Sequence, residues 1–76
     1  MQTTGKLNVL FTVAAKGNYV MKLVDVIGKE VINNVYAAEE GKNLYEVDLN
    51  GFAKGVYNLT VGTEGSEIQS MRIVVE

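Results

Sequence analysis

The chain has 76 residues and a formal net charge of −2, from seven basic and nine acidic residues. This length allows one small domain, and the absence of cysteine and histidine removes disulfides, thiolate nucleophiles and the commonest general base. The charges form no basic stripe and no apolar run could span a bilayer, so we expect neither nucleic acid as a partner nor stable membrane insertion.

The first six residues do not have the succession of charged, apolar and small residues that marks a signal peptide. We expect residues 1–6 to be a leader or linker and residues 7–76 to form the domain. Within the domain, six segments are rich in apolar residues, and five of them alternate apolar with polar positions, as half-buried strands do. In chain order the apolar positions are Leu7, Val9, Phe11 and Val13; Tyr19, Met21 and Leu23; Val31, Ile32 and Val35; Tyr45, Val47 and Leu49; Tyr57, Leu59 and Val61; and Met71, Ile73 and Val75.

The third segment does not keep the period of two, which predicts a bulge or an edge position there. Glycine-containing turns separate the segments at intervals of about 10–13 residues, as in small sandwiches. The only helix-friendly run, residues 37–40, is too short to form a helix alone. We therefore predict an all-β fold: a small immunoglobulin-like antiparallel β-sandwich of about six to seven short strands, with Leu23 and Tyr57 in its core.

Two motifs contain the chemistry of tight turns. In Asp25-Val26-Ile27-Gly28-Lys29, the aspartate can cap backbone amides and the glycine can take a positive φ. In Lys54-Gly55-Val56-Tyr57, we expect Gly55 to allow close backbone packing and the Tyr57 hydroxyl to fix a loop, as in a tyrosine corner. Both motifs are compatible with a structural role and with recognition by a partner.

Four segments resemble a known family when they are taken together. They are Val24-Asp25-Val26-Ile27-Gly28-Lys29, the strand Asn43-Leu44-Tyr45-Glu46-Val47-Asp48-Leu49, the glycine-x-tyrosine of Lys54-Gly55-Val56-Tyr57, and Met71-Arg72-Ile73-Val74-Val75-Glu76. In this order and spacing they resemble the type A C-terminal sorting domain of the type IX secretion system, over about residues 7–76. The chain departs from the family in lacking a proline-asparagine-proline start, and it has Val24 where an aromatic residue is more usual.

The resemblance implies a non-catalytic C-terminal sorting signal of Bacteroidota. It implies that the type IX translocon recognises the domain and carries an N-terminally fused cargo across the outer membrane. A sortase-like peptidase would then cleave the domain off upstream of Leu7, which leaves the cargo secreted or at the cell surface. For recognition by the translocon we single out seven residues: Gly28, Lys29, Gly55, Tyr57, Arg72, Val74 and Glu76.

Two other functions stay open at this point. A carbohydrate-binding accessory module of a secreted enzyme would need exposed aromatic residues, and Tyr36, which lies off the core parity, is the one expected to be free for ligand stacking. A structural accessory module could self-associate through an exposed strand edge. The terminal strand could lend its backbone edge to a partner, or it could simply close the sandwich. The scattered carboxylates follow no calcium-binding spacing, so we expect no metal, no cofactor and no enzyme activity.

Overall fold

The computed structural model describes residues 2–3, 5–63 and 65–76, and the side chains among them from Gly5 onward. These residues form seven strands and no helix. In chain order the strands are β1 (Gln2–Thr3), β2 (Lys6–Val13), β3 (Gly17–Asp25), β4 (Glu30–Ala38), β5 (Gly41–Asp48), β6 (Gly55–Thr63) and β7 (Ser66–Val75). The predicted all-β sandwich is confirmed.

The strands form two sheets that face each other. The larger sheet has the order β1-β7-β6-β3-β4, and the smaller sheet pairs β2 with β5. All the neighbouring strands are antiparallel except β1, which runs parallel to β7 with Gln2 opposite Val74 and Thr3 opposite Val75. A short strand therefore lies within the segment that we predicted to be a leader or linker.

The core lies between the two sheets and contains the apolar positions of the five alternating segments, with Tyr45 and Met71 partly buried at its margin. From the third segment, Val35 is exposed. Strand β2 buries every second residue, and Leu23 and Tyr57 are 0% and 6% exposed. The largest fully buried side chains are Phe11, Met21, Leu23, Leu49, Leu59, Ile73, Val9 and Val47. Burial of each such side chain stabilises the fold by about 1.5–3 kcal/mol, so the alternation in the sequence provides the main driving force for folding.

The broken period of β4 has both of the predicted causes. The pairing of β3 with β4 shifts between Leu23, opposite Ile32, and Val24, opposite Glu30, so that Val31 is an extra residue in β4. Strand β4 is also the last strand of its sheet. Because of the bulge, the adjacent residues Val31 and Ile32 both pack against the core while remaining partly exposed.

Tyr36 is not free for ligand stacking, contrary to the expectation from its parity. Its side chain is half-buried, and its ring packs edge-on against Phe11 and Tyr45, with centroids 5.5 Å and 5.6 Å away. Its hydroxyl donates to the Leu44 carbonyl oxygen at 3.0 Å. The bulge in β4 changes the side that each later residue faces, which turns Tyr36 toward the second sheet.

A buried asparagine shapes the connection between β4 and β5. The Asn43 Oδ1 atom accepts from the Glu39 amide at 3.0 Å, and its Nδ2 atom donates to the carbonyl oxygens of Glu39 at 2.8 Å and Gly41 at 3.2 Å. These bonds satisfy the Asn43 amide, which would be costly to bury without partners. They also fix where β5 begins relative to the edge of β4.

An exposed ionic cluster on β3 and β4 shifts the pKa of Glu30. The Asn33 Nδ2 atom donates to Glu30 Oε1 at 2.9 Å, and the Lys22 Nζ atom lies 3.5 Å from Glu30 Oε2. The Asn33 hydrogen bond and then the Lys22 charge hold the pKa of Glu30 below its ordinary value. Because the folded pKa is lowered, the small contribution of Glu30 to stability is present above the unfolded pKa and is lost as the pH falls through the folded pKa.

We expect Asn33→Ala to raise the pKa of Glu30 toward its ordinary value, because this change removes the largest cause of the shift. The measurement is an NMR titration of the Glu30 side-chain carboxyl carbon. Asn18→Ala, at another exposed position of the same two-strand ladder, is the control and should leave the pKa of Glu30 in place. An identical Glu30 titration in the parent and Asn33→Ala would contradict the assignment.

Candidate recognition surface

The turn between β3 and β4 is organised by Asp25. Its Oδ1 atom accepts from the amides of Ile27 at 3.1 Å and Lys29 at 2.9 Å, and its carbonyl oxygen accepts from the Gly28 amide at 3.0 Å. Gly28 has a φ of 89°, which only glycine adopts readily. The predicted tight turn is confirmed, and its tip carries Val26 and Ile27, which are 76% and 83% exposed.

The loop before β6 is held by a tyrosine corner. The Tyr57 hydroxyl donates to the Ala53 carbonyl oxygen at 2.6 Å, and the Tyr57 ring packs beside Phe52 with centroids 6.1 Å apart. The predicted role of this hydroxyl is confirmed. The expected role of Gly55 is wrong: no atom lies within 4 Å of the position that a Cβ atom would take. Glycine is favoured there by its φ of 154°, which L side chains rarely adopt.

The same device occurs a second time, and the sequence contains a signal for it. The Tyr19 hydroxyl donates to the Ala15 carbonyl oxygen at 2.6 Å, again four residues back. Residues 15–19 and 53–57 share the pattern alanine-lysine-glycine-x-tyrosine, which precedes β3 in one case and β6 in the other. Because β3 and β6 are antiparallel neighbours, the two loops lie at opposite ends of the larger sheet.

We expect Tyr57→Phe and Tyr19→Phe each to lower the free energy of unfolding by about 1–2 kcal/mol. Each change removes one short hydrogen bond from a part-buried site and leaves a carbonyl oxygen without its partner. Tyr45→Phe is the matched control, because it removes only an exposed hydrogen bond to the Asn34 amide. Urea unfolding in which Tyr57→Phe loses no more stability than Tyr45→Phe would contradict the structural role.

The Asp25 turn, the loop before β6 and the end of β7 meet at one end of the larger sheet. Tyr57 lies opposite Asp25 on β3 and opposite Ile73 on β7, and Gly55 lies opposite Val75. A groove of about 230 Å³ runs between the turn and the loop, lined by residues 25–27 and 53–57. We call this turn, loop and groove the recognition surface.

All seven residues that we predicted for recognition lie at or next to this end. Gly28, Lys29 and Glu76 are exposed, Gly55 and Val74 are half-buried, Tyr57 is buried, and Arg72 is exposed opposite Asn58. Because Tyr57 is buried, its contribution is to hold the loop in place rather than to offer contact area. The prediction omitted Val26 and Ile27, although two apolar residues at the tip of a turn are an unusual signal.

The terminal strand is partly closed on its outer side. At Val74 and Val75 this edge pairs with β1, and only the earlier part of β7 has no strand beside it in the described residues. A partner that pairs with β7 would therefore meet residues 66–73. Next to the recognition surface, at Val74 and Val75, the edge of β7 is already occupied by β1.

Neither a cluster of metal-binding side chains nor a membrane-spanning helix occurs in the described part of the chain. No group of three aspartate, glutamate, histidine or cysteine residues there is arranged to hold a metal ion. No helix there has the length and hydropathy of a membrane span.

Comparison with known proteins supports the resemblance noted in the sequence. The chain matches the family described as "Secretion system C-terminal sorting domain" over residues 3–76. No curated protein and no solved structure matches it. Since the family match covers nearly the whole chain and includes the turn, the loop and the terminal strand, this chain belongs to the C-terminal sorting domains of the type IX secretion system.

Proposed function

We propose that the domain is a non-catalytic export signal whose recognition surface is bound by the type IX translocon. Family membership supports a C-terminal sorting signal that acts with the type IX machinery and belongs to a longer precursor bound for the cell surface or the medium. The observation that carries the proposal is the family match over residues 3–76, which includes every part of the recognition surface.

The recognition surface has the physical properties of a docking site. Asp25 holds the turn through four hydrogen bonds, and Tyr57 holds the facing loop, so little conformational entropy is lost on binding. Val26 and Ile27 project from the turn and contribute nothing to the core. Exposed apolar side chains on a rigid turn are suitable anchors for a pocket in a partner protein.

The proposal includes removal of the domain after export. A sortase-like peptidase that cut upstream of Leu7 would release an N-terminally fused cargo. Support comes from the pairing of β1, which contacts β7 at two residues, whereas the long strands begin at Lys6. A cut on the amino side of Lys6 would leave both sheets with their long strands. The absence of cysteine and histidine supports a non-catalytic role for the domain itself.

The test of the surface is export of a reporter fused to the domain in a bacterium that has the type IX system. We expect Val26→Ser with Ile27→Ser to lower export at least about tenfold, which corresponds to a loss of about 1.4 kcal/mol of binding free energy. The matched control is Val35→Ser with Leu44→Ser, which replaces two other exposed apolar residues, 69% and 58% exposed, away from the surface. Equal export by the two double variants would contradict the proposed surface.

Truncation of the terminal strand tests a different point. Removal of residues 72–76 should stop export, and undiminished secretion of the truncated reporter would defeat the sorting function. This truncation also removes the buried residues Ile73 and Val75, so it tests the need for a folded domain rather than a single contact with the partner.

The mass of the exported reporter tests whether the domain is cleaved off after export. We expect a product without residues 7–76, and a product that retains the domain would contradict cleavage.

A further inference from the structure

We propose that the open side of the sandwich, between the edges of β4 and β5, is a separate binding site for a short extended peptide. The larger sheet has four long strands and the short β1, and neighbouring strands lie about 4.8 Å apart, so the two-stranded β2–β5 layer covers only about half of its width. A groove of about 470 Å³ lies on this uncovered side. Of the residues that line it, only Phe52 belongs to a loop of the recognition surface, and the site does not depend on the export function.

The backbone of β5 faces this groove at every second residue. The Leu49 amide donates to the Gly5 carbonyl oxygen at 2.8 Å, which shows that odd-numbered residues direct their backbone groups toward the β2 side. The Leu44 carbonyl oxygen instead accepts the Tyr36 hydroxyl, from the β4 side. In an antiparallel ladder these directions alternate, so the backbone N–H and C=O groups of Glu46 and Asp48 face the groove.

The rest of the groove has the shape that an added strand needs. Val31 and Ile32, both half-exposed, line it from the β4 side. Phe52 also lines it, and hydrogen bonds from Tyr36 and Asn34 to β5 connect the two edges beside it. Residues 46–48 extend over about 10 Å at about 3.4 Å per residue, so the open edge accommodates three or four residues of an extended chain.

The lining also indicates the side chains of the peptide. Alternate residues of an added strand would face Val31 and Ile32, which favours β-branched apolar side chains such as valine. The residues between them would stand beside Glu46 and Asp48 on the outer face, where the Lys6 Nζ atom lies 3.8 Å from Glu46 Oε1 in an exposed pair. No lysine or arginine lines the groove itself in the described part of the chain. Cross-strand pairs of opposite charge are stabilising, so the occupant is an extended segment of a partner protein in which valine-like residues alternate with lysine.

NMR titration of the isotope-labelled chain tests this proposal with the blocked hexapeptide Val-Lys-Val-Lys-Val-Thr. We expect the amide shifts to concentrate at residues 31–34 and 46–48. In antiparallel register, lysines opposite Glu46 and Asp48 direct their N–H groups to β5. A peptide N-methylated at its two lysines should therefore bind at least tenfold more weakly, whereas one N-methylated at two valines should bind within twofold of the parent peptide.

A pair of proline variants tests the same point from the side of the protein. Glu46→Pro removes an N–H group that lies outside the β2–β5 ladder, and it should weaken peptide binding at least tenfold. Asn8→Pro is the matched control and should leave peptide binding unchanged, because Asn8 lies directly opposite Glu46 and its N–H group faces the other edge of the same sheet.

Equal binding of the two N-methylated peptides, or amide shifts away from the groove, would overturn the proposal. Amide shifts of residues 46–48 that grow with protein concentration in the absence of peptide would assign the groove to a second copy and would also overturn it.

Discussion

Leu23→Ala is expected to lower the free energy of unfolding by about 2–5 kcal/mol. Leu23 is completely buried in β3, where it lies between Ile32 of β4 and Leu59 of β6. Truncation removes apolar contacts and leaves a cavity that sheet neighbours on both sides hold open. Domains have a net stability of about 5–15 kcal/mol, so this single change removes a large part of it. Equilibrium unfolding in urea measures the loss.

The control for Leu23→Ala is Val35→Ala in the neighbouring strand. Val35 is 69% exposed, and a substitution at such a position changes stability by less than about 0.5 kcal/mol. If both variants unfolded at the same urea concentration as the parent, Leu23 would not lie in the core. The assignment of the buried face of β3 would then be wrong.

Gly62→Ala is expected to destabilise the domain by about 1–3 kcal/mol because it crowds the backbone. Gly62 is buried where the pairing of β6 with β7 shifts register. A Cβ atom there would overlap the Ser66 carbonyl oxygen and lie 3.0 Å from the Glu67 Cα atom. Both obstacles are backbone atoms, so relief requires movement of the hairpin rather than rotation of a side chain.

Gly17→Ala separates crowding from the general effect of replacing glycine. At Gly17 no atom lies within 4 Å of the Cβ position, and its φ is not positive. We expect this variant to be neutral or to gain about 0.4–1 kcal/mol, because alanine restricts the unfolded chain. Thermal unfolding that ranks Gly17→Ala with Gly62→Ala would contradict the close approach at Gly62.

The parts of the structure that follow from local pattern could be predicted from the sequence. Alternation reports directly which face of a strand is buried, so the inner residues of β2, β3 and β6 could be assigned without coordinates. The Asp25 turn and the Tyr57 loop could be predicted because aspartate, glycine and tyrosine have specific backbone roles there. The repeat of alanine-lysine-glycine-x-tyrosine was equally visible, and it indicates the corner at Tyr19.

The parts that depend on long-range placement could not be predicted in this way. Tyr36 faces the second sheet because a bulge at Val31 shifts every later residue, and sequence alternation does not reveal the position of the bulge. The pairing of Gln2 and Thr3 with the end of β7 joins two distant segments through only two residues. The groove beside β5 exists only because two strands face five, which is a property of the assembled sandwich.

Export of a fused reporter decides whether this chain is a sorting signal. The reporter would carry a signal peptide and end with residues 1–76, in a bacterium that has the type IX system. We expect it to reach the medium or the cell surface only when the chain is attached and the translocon is intact. Equal export without the chain, or in a strain that lacks the translocon, would contradict the assignment.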